Sequence, residues 1–130
     1  FTDPAGRVQS IADLEGRYVL MHVWASWCAP CLEALPDVKA TADALHSKPV
    51  TFIGLNVDKD AEVAKALTKK HQWTWSQNYL GESSDMARQL AISSVPTYYL
   101  IAPDGRLLAS ATDWTEIKEK LEAALAAPPK

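Results

Sequence analysis

Cysteine is scarce in this 130-residue chain: there are two, Cys28 and Cys31, and no others. Two sulfurs cannot make a four-sulfur zinc site. His22, His46 and His71 do not stand at the paired spacing of a zinc finger. A core must therefore form without staples, and a hydrophobic share of 48% is enough for one. Long apolar runs are missing too, since none approaches the ~20 residues of a membrane span. The net charge is only -3 and the pI near 5.5, with no basic stripe, which argues against nucleic acid or an anionic membrane surface as partner. No basic-then-apolar leader is present. The chain opens at Phe1 rather than Met, which reads as a processed protein or an excised domain, and an anchor or further domain could stand upstream. Repeats, linkers and low-complexity stretches are absent before the last few residues, so residues 1–130 read as one domain.

What is present is concentrated in Trp27-Cys28-Ala29-Pro30-Cys31. With Pro30 in the first turn of a helix, Cys28 stands at the helix mouth and Cys31 one turn inside. The sulfurs can then close a disulfide or open to two thiols. A bridge across two intervening residues closes a very small loop and removes little chain entropy, so it is a poor staple and reads as a redox pair. A thiolate at a helix N-terminus meets the positive end of the peptide dipoles, which lowers its pKa and makes it a usable nucleophile.

The chain alternates strand and helix. Tyr18 to Ala25 is nearly continuous in apolar residues and reads as a buried strand that starts after Gly16 and ends at the motif. A helix is expected from Pro30 to about His46, with Cys31, Leu35, Val38, Ala42 and Leu45 inward and a kink at Pro36. Val50 to Val57 reads as a second strand. A helix from Asp58–Asp60 to about Lys70 should face Val63, Ala66 and Leu67 inward. Ser83 or Ser84 can cap a short helix through Leu90. Thr97 to Ala102, the Pro103-Asp104-Gly105 turn and Arg106 to Ala111 read as a hairpin. Asp113-x-x-Glu116 resembles a capping box before a last helix carrying Ile117, Leu121, Ala124 and Leu125, which Pro128-Pro129 ends. This order predicts an α/β fold, a mixed β-sheet flanked by helices on both faces, with the cysteines at the C-terminal end of its first parallel strand.

The run from Val19 to Pro36 (VLMHVWASWCAPCLEALP) and Val95-Pro96-Thr97 followed by Ile101 to Arg106 resemble the thioredoxin superfamily, and within it the TlpA/ResA-type bacterial thiol-disulfide oxidoreductases. The likeness extends from Asp3 to about Leu125. It implies a thioredoxin-like fold, Cys28 as attacking thiol, Cys31 as resolving thiol and a cis Pro96 beside the pair. It also implies a bacterial periplasmic or envelope location. A cis Pro96 leaves no N–H at the site, so the Val95 backbone can pair with an extended substrate strand. Cys28 is expected to be the exposed sulfur, with Trp27, Ala29, Pro30 and Val95 meeting the partner. Ala29 and Pro30 put no charge between the cysteines. That leaves a Cys28 thiolate without special stabilisation, which favours the disulfide form and makes the protein a reductant. Trp24 reads as core. Trp73 and Trp75 read as core or rim packing ahead of a partner groove.

Two positions depart from the family. Thioredoxins carry a buried Asp where His22 stands here. The TlpA/ResA branch commonly carries a Glu where Ala34 stands, and Glu33, one step away, is turned by about 100°. The carboxylate that takes the proton of the resolving thiol is thus missing. His22 could take its part, because imidazole titrates near neutrality, or it could be a core histidine. The leading function is reduction of protein disulfides with electrons from an upstream thiol donor, no cofactor being implied. The alternatives are an oxidase or isomerase using the same cysteines, or a CxxC domain for a soft metal with His22 as the only further ligand in view. A peroxiredoxin-type peroxidase fits poorly, because no Arg lies near Cys28 in sequence.

Overall fold

At Gly16 the backbone takes a positive φ of 94°, which glycine tolerates, and the chain turns into strand β1 (Tyr18–Trp24). The computed structural model describes residues 11–71, 73, 75–79 and 95–126, and opens with a 3-10 turn over Ile11–Leu14. β1 pairs in parallel with β2 (Val50–Asn56) on one side and antiparallel with β4 (Thr97–Ile101) on the other. Being central in a sheet buried on both faces, it needs apolar side chains in both directions, hence the unbroken run. Leu20 and Trp24 point to one face, Val19, Met21 and Val23 to the other, and all are buried. Truncating such a side chain to Ala typically costs about 2–5 kcal/mol.

Helix α1 (Ala29–Ala44) follows β1 and ends within two residues of its expected limit. Cys31, Leu35, Val38 and Thr41 are its buried stripe, and the helix continues past Pro36, which is exposed. After β2, helix α2 (Ala61–His71) opens with the Asp60 carboxylate accepting the Glu62 N–H at 3.0 Å. Its inward stripe differs from expectation by one position. Val63 is 50% exposed and Ala66 is exposed, whereas Ala64 is buried and Leu67 and Thr68 are half-buried. The stripe at 64, 67 and 68 is anchored by Thr68 Oγ1, which accepts the Tyr79 hydroxyl at 3.3 Å, and the exposed His71 at the helix end stacks on Trp73.

Strand β3 (Ser76–Tyr79) pairs in parallel with β2 and was not legible as a strand, because Ser-Gln-Asn-Tyr is polar. Its place is held by the ladder and by Gln77, whose side chain lies over Gly54 and accepts the Trp24 indole N–H at 3.0 Å. The sheet order is β3-β2-β1-β4-β5, with β5 (Leu107–Ala111) returning antiparallel to β4 after the expected turn, where Gly105 has φ 92°. The last helix, α3 (Trp114–Ala126), buries Trp114, Ile117 and Leu121. Trp114 Nε1 donates to Asp37 Oδ2 at 2.7 Å and Lys118 Nζ lies 3.0 Å from the same oxygen, tying α3 to α1. The bond from Trp114, then that from Lys118, holds the Asp37 carboxyl below its ordinary range. The architecture is thus the mixed-sheet α/β fold expected. The helix read over 83–90 and the stop at Pro128-Pro129 lie outside the described residues.

Candidate active site

Parallel strands β1 and β2 finish side by side, with Trp24 opposite Asn56, and β4 begins beside the same end, with Thr97 opposite Val23. This topology gathers the cysteine motif, the end of β2 and the Val95-Pro96 peptide at one edge of the sheet. Past β1 a turn closes with the Cys28 N–H donating to Ala25 O at 3.1 Å. Cys28 is then the N-cap of α1 in extended conformation, with Pro30 in the first turn. Its Sγ accepts the Cys31 N–H at 3.2 Å and its carbonyl accepts the Leu32 N–H at 3.1 Å. The two residues are joined as a disulfide with Cα atoms 5.3 Å apart. The first turn holds no acidic residue, so nothing there opposes the positive helix end.

Cys28 was expected to be exposed. It is only 4% accessible, against 0% for Cys31, because its side chain folds back over the helix mouth to accept the Cys31 N–H. The exposed surface around it comes from Trp27, 66% accessible, and from Ala29 and Pro30. The Val95-Pro96 bond is cis, and both residues are half-buried.

His22 lies at the middle of β1, between Gly54 and Tyr98 in the ladder, fully buried. Tyr98 in turn packs on Trp114, so His22 sits on the sheet face that α3 and α1 cover. Among the described residues neither ring nitrogen has a hydrogen-bond partner. Burial pushes its pKa down to about 3, so it does not titrate near neutrality as expected. Burial, with the Asp113 charge second, raises the Tyr98 phenol above its usual range. Ala34 is half-buried against the core and Glu33 is exposed. Trp24, Trp73 and Trp75 are core: Trp73 meets Trp24 edge-on at 5.2 Å and stacks on Trp75 at 6.0 Å. Among the described residues no group of three His, Cys, Asp or Glu is placed to hold a metal ion, and no helix is long and apolar enough to cross a membrane.

Sequence reasoning missed Asp58, taking it only as a helix start. It is buried, and it bonds Ser26 of the cysteine loop through both backbone and hydroxyl. The signal available was Asn56-Val57-Asp58, a polar pair at the end of an apolar strand.

The pattern of the Redoxin family matches residues 1–125. The chain belongs to the Redoxin family. The ResA thiol-disulfide oxidoreductase of Bacillus cereus (strain ZK / E33L) is 25% identical over 124 residues, covering 95% of this redoxin and 70% of that protein. Among solved structures, a thiol-disulfide oxidoreductase from Bacteroides fragilis NCTC 9343 is 30% identical with a TM-score of 0.81, over 95% of this chain and 93% of that one. The thioredoxin domain of a Bacteroides vulgatus thiol-disulfide oxidoreductase superposes with a TM-score of 0.83 at 25% identity, over 95% and 90% of the two chains. The fold is thioredoxin-like, and the relatives are named for thiol-disulfide exchange.

Proposed function

We propose that this redoxin is a thiol-disulfide oxidoreductase that reduces disulfides of other proteins through the Cys28/Cys31 couple. The observation that carries it is the placement of Cys28 Sγ as the cap of α1, joined to Cys31 within one helical turn. In the dithiol state the Cys28 thiolate attacks one sulfur of a partner disulfide. The partner S–S bond breaks, a mixed disulfide forms, and the leaving thiolate takes a proton. Cys31, as thiolate, then attacks Cys28 Sγ. The Cys28–Cys31 disulfide closes and the partner departs as a dithiol, two electrons richer. An upstream thiol donor restores the dithiol. The couple is itself the redox centre, without a cofactor.

Trp27, Ala29 and Pro30 form the accessible rim a partner would meet, and the Val95 backbone beside Pro96 is the edge on which an extended partner segment would pair. We assign His22 to packing, since an imidazole with a pKa pushed down to about 3 is a poor acceptor for the Cys31 proton. The resemblance to the TlpA/ResA branch supports a bacterial periplasmic or envelope location, and residues 1–130 are read as one thioredoxin-like domain.

The test is the reduction potential of the couple, followed by Trp fluorescence in thiol redox buffers. A value near about -270 mV or lower makes the protein a reductant, and one between about -180 and -120 mV makes it an oxidase or isomerase.

A further inference from the structure

Asp58, two residues past the end of β2, is bonded to the loop that carries Cys28. Its carboxylate accepts the Ser26 N–H at 2.8 Å, the Ser26 hydroxyl at 2.7 Å and the Asn56 side-chain N–H at 2.7 Å. Its own N–H donates to Asn56 Oδ1 at 3.0 Å, and Asn56 Nδ2 also lies 3.5 Å from the Trp24 carbonyl. Three donors address the carboxylate and all are neutral, the bonding pattern of an ionised acceptor. This buried group clamps Ser26, two residues before Cys28, to the neighbouring strand.

We propose that Asp58 is a positioning residue for the Cys28 thiolate, fixing the turn that places the sulfur at the start of α1 and setting a negative charge against it. The inference rests on the thiol-disulfide reading above. The start of α1 favours the thiolate, and a like charge bonded to the loop that carries the sulfur disfavours it. A less stable thiolate makes the dithiol form less stable, so Asp58 pushes the couple in the reducing direction. Among the described residues the other ionisable groups near these elements are few. His22, on β1, is buried and neutral. Glu33 on α1 and Lys59 and Asp60 after β2 are exposed. Among the described residues no Lys or Arg forms an ion pair with Asp58.

The test is the pH dependence of Cys28 alkylation in the reduced protein, with the equilibrium against glutathione at pH 8 beside it. Asp58→Asn keeps the size and an acceptor for Ser26 and removes the charge. The Cys28 pKa should then fall by about one unit, tenfold in its acid constant, and the equilibrium should move at least about twofold toward the dithiol. An unchanged or raised Cys28 pKa overturns the proposal. Where Asp58→Asn does not fold, Ser26→Ala decides. It takes one neutralising donor from the carboxylate, so the Cys28 pKa should rise by several tenths of a unit, and no change or a fall overturns the proposal. A wild-type protein that does not exchange with glutathione defeats the oxidoreductase reading instead, while the alkylation pKa still decides this one.

Discussion

The imidazole of His22 lies flat against the phenol ring of Tyr98, with centroids 4.9 Å apart and planes within 8°. Among the described residues neither the His22 nitrogens nor Tyr98 Oη has a hydrogen-bond partner, so the two side chains at the centre of the sheet are held by packing, His22 on Tyr98 and Tyr98 on Trp114. Leaving such groups unpaired costs about 1–3 kcal/mol each.

A dependence of stability on pH follows. The folded chain holds His22 at a pKa of about 3, below the ~6.5 of the unfolded chain, so between those values the unfolded chain binds the extra proton. Stability from this group is fully present above about pH 6.5 and is lost as pH falls toward 3, by at most about 1.4 kcal/mol per pH unit. His22→Phe keeps a ring and removes the proton site. Urea midpoints at pH 4 and pH 7 should therefore differ less in the variant, and equal differences would contradict the assignment. His22→Ala should lower stability by about 2–4 kcal/mol with little change in turnover. Turnover falling far more than stability would restore the proton-acceptor role to His22.

The two cysteines should separate by variant. Cys31→Ser should accumulate a mixed disulfide with a protein substrate or with glutathione, visible by mass, because nothing resolves it. Cys28→Ser should form none through the buried Cys31 and should turn over at the uncatalysed rate. Accumulation in the Cys28 variant instead would reverse the roles.

Trp27 is the large apolar side chain nearest the disulfide in sequence that stays exposed. Trp27→Ala should change stability by less than about 0.5 kcal/mol. For a protein disulfide, kcat/KM should fall about tenfold, the loss of an aromatic anchor worth ~1–2 kcal/mol. Reaction with a small dithiol should be unaffected, and a parallel loss there would show that Trp27 acts on the sulfur and not on the partner.

Gly54 lies under Gln77, and an added Cβ would overlap that side chain. The Gln77 amide is the acceptor for the Trp24 indole N–H, so it cannot move aside without leaving a buried donor unpaired. Gly54→Ala should cost about 1–3 kcal/mol by chemical denaturation. A cost near zero would mean that Gln77 and Trp24 rearrange together.

Much of the fold was legible because burial leaves a periodic trace. The unbroken apolar β1, the capping position of Cys28, the Pro103-Asp104-Gly105 turn and the last helix are local patterns, read within a few residues of their observed limits. The α2 stripe lies one position from the expected one: Val63 is more apolar than Ala64, but the burial of Ala64, the packing of Leu67 and the contacts of Thr68 with Tyr79 and of His71 with Trp73 set the helix rotation. Strand β3 left no apolar trace, because an edge ladder and Gln77 hold it.

The site divides in the same way. Two cysteines at helical spacing after a buried strand marked the thiol-disulfide couple, since that depends on atoms a few bonds apart. Contacts across the sheet decided the rest. Cys28 is turned inward by its own capping bond, His22 loses its near-neutral titration to burial, and Asp58, 32 residues after Ser26, comes to hold the cysteine loop. Solvation and long-range hydrogen bonds depend on which strands lie side by side, and no local stretch of residues records that.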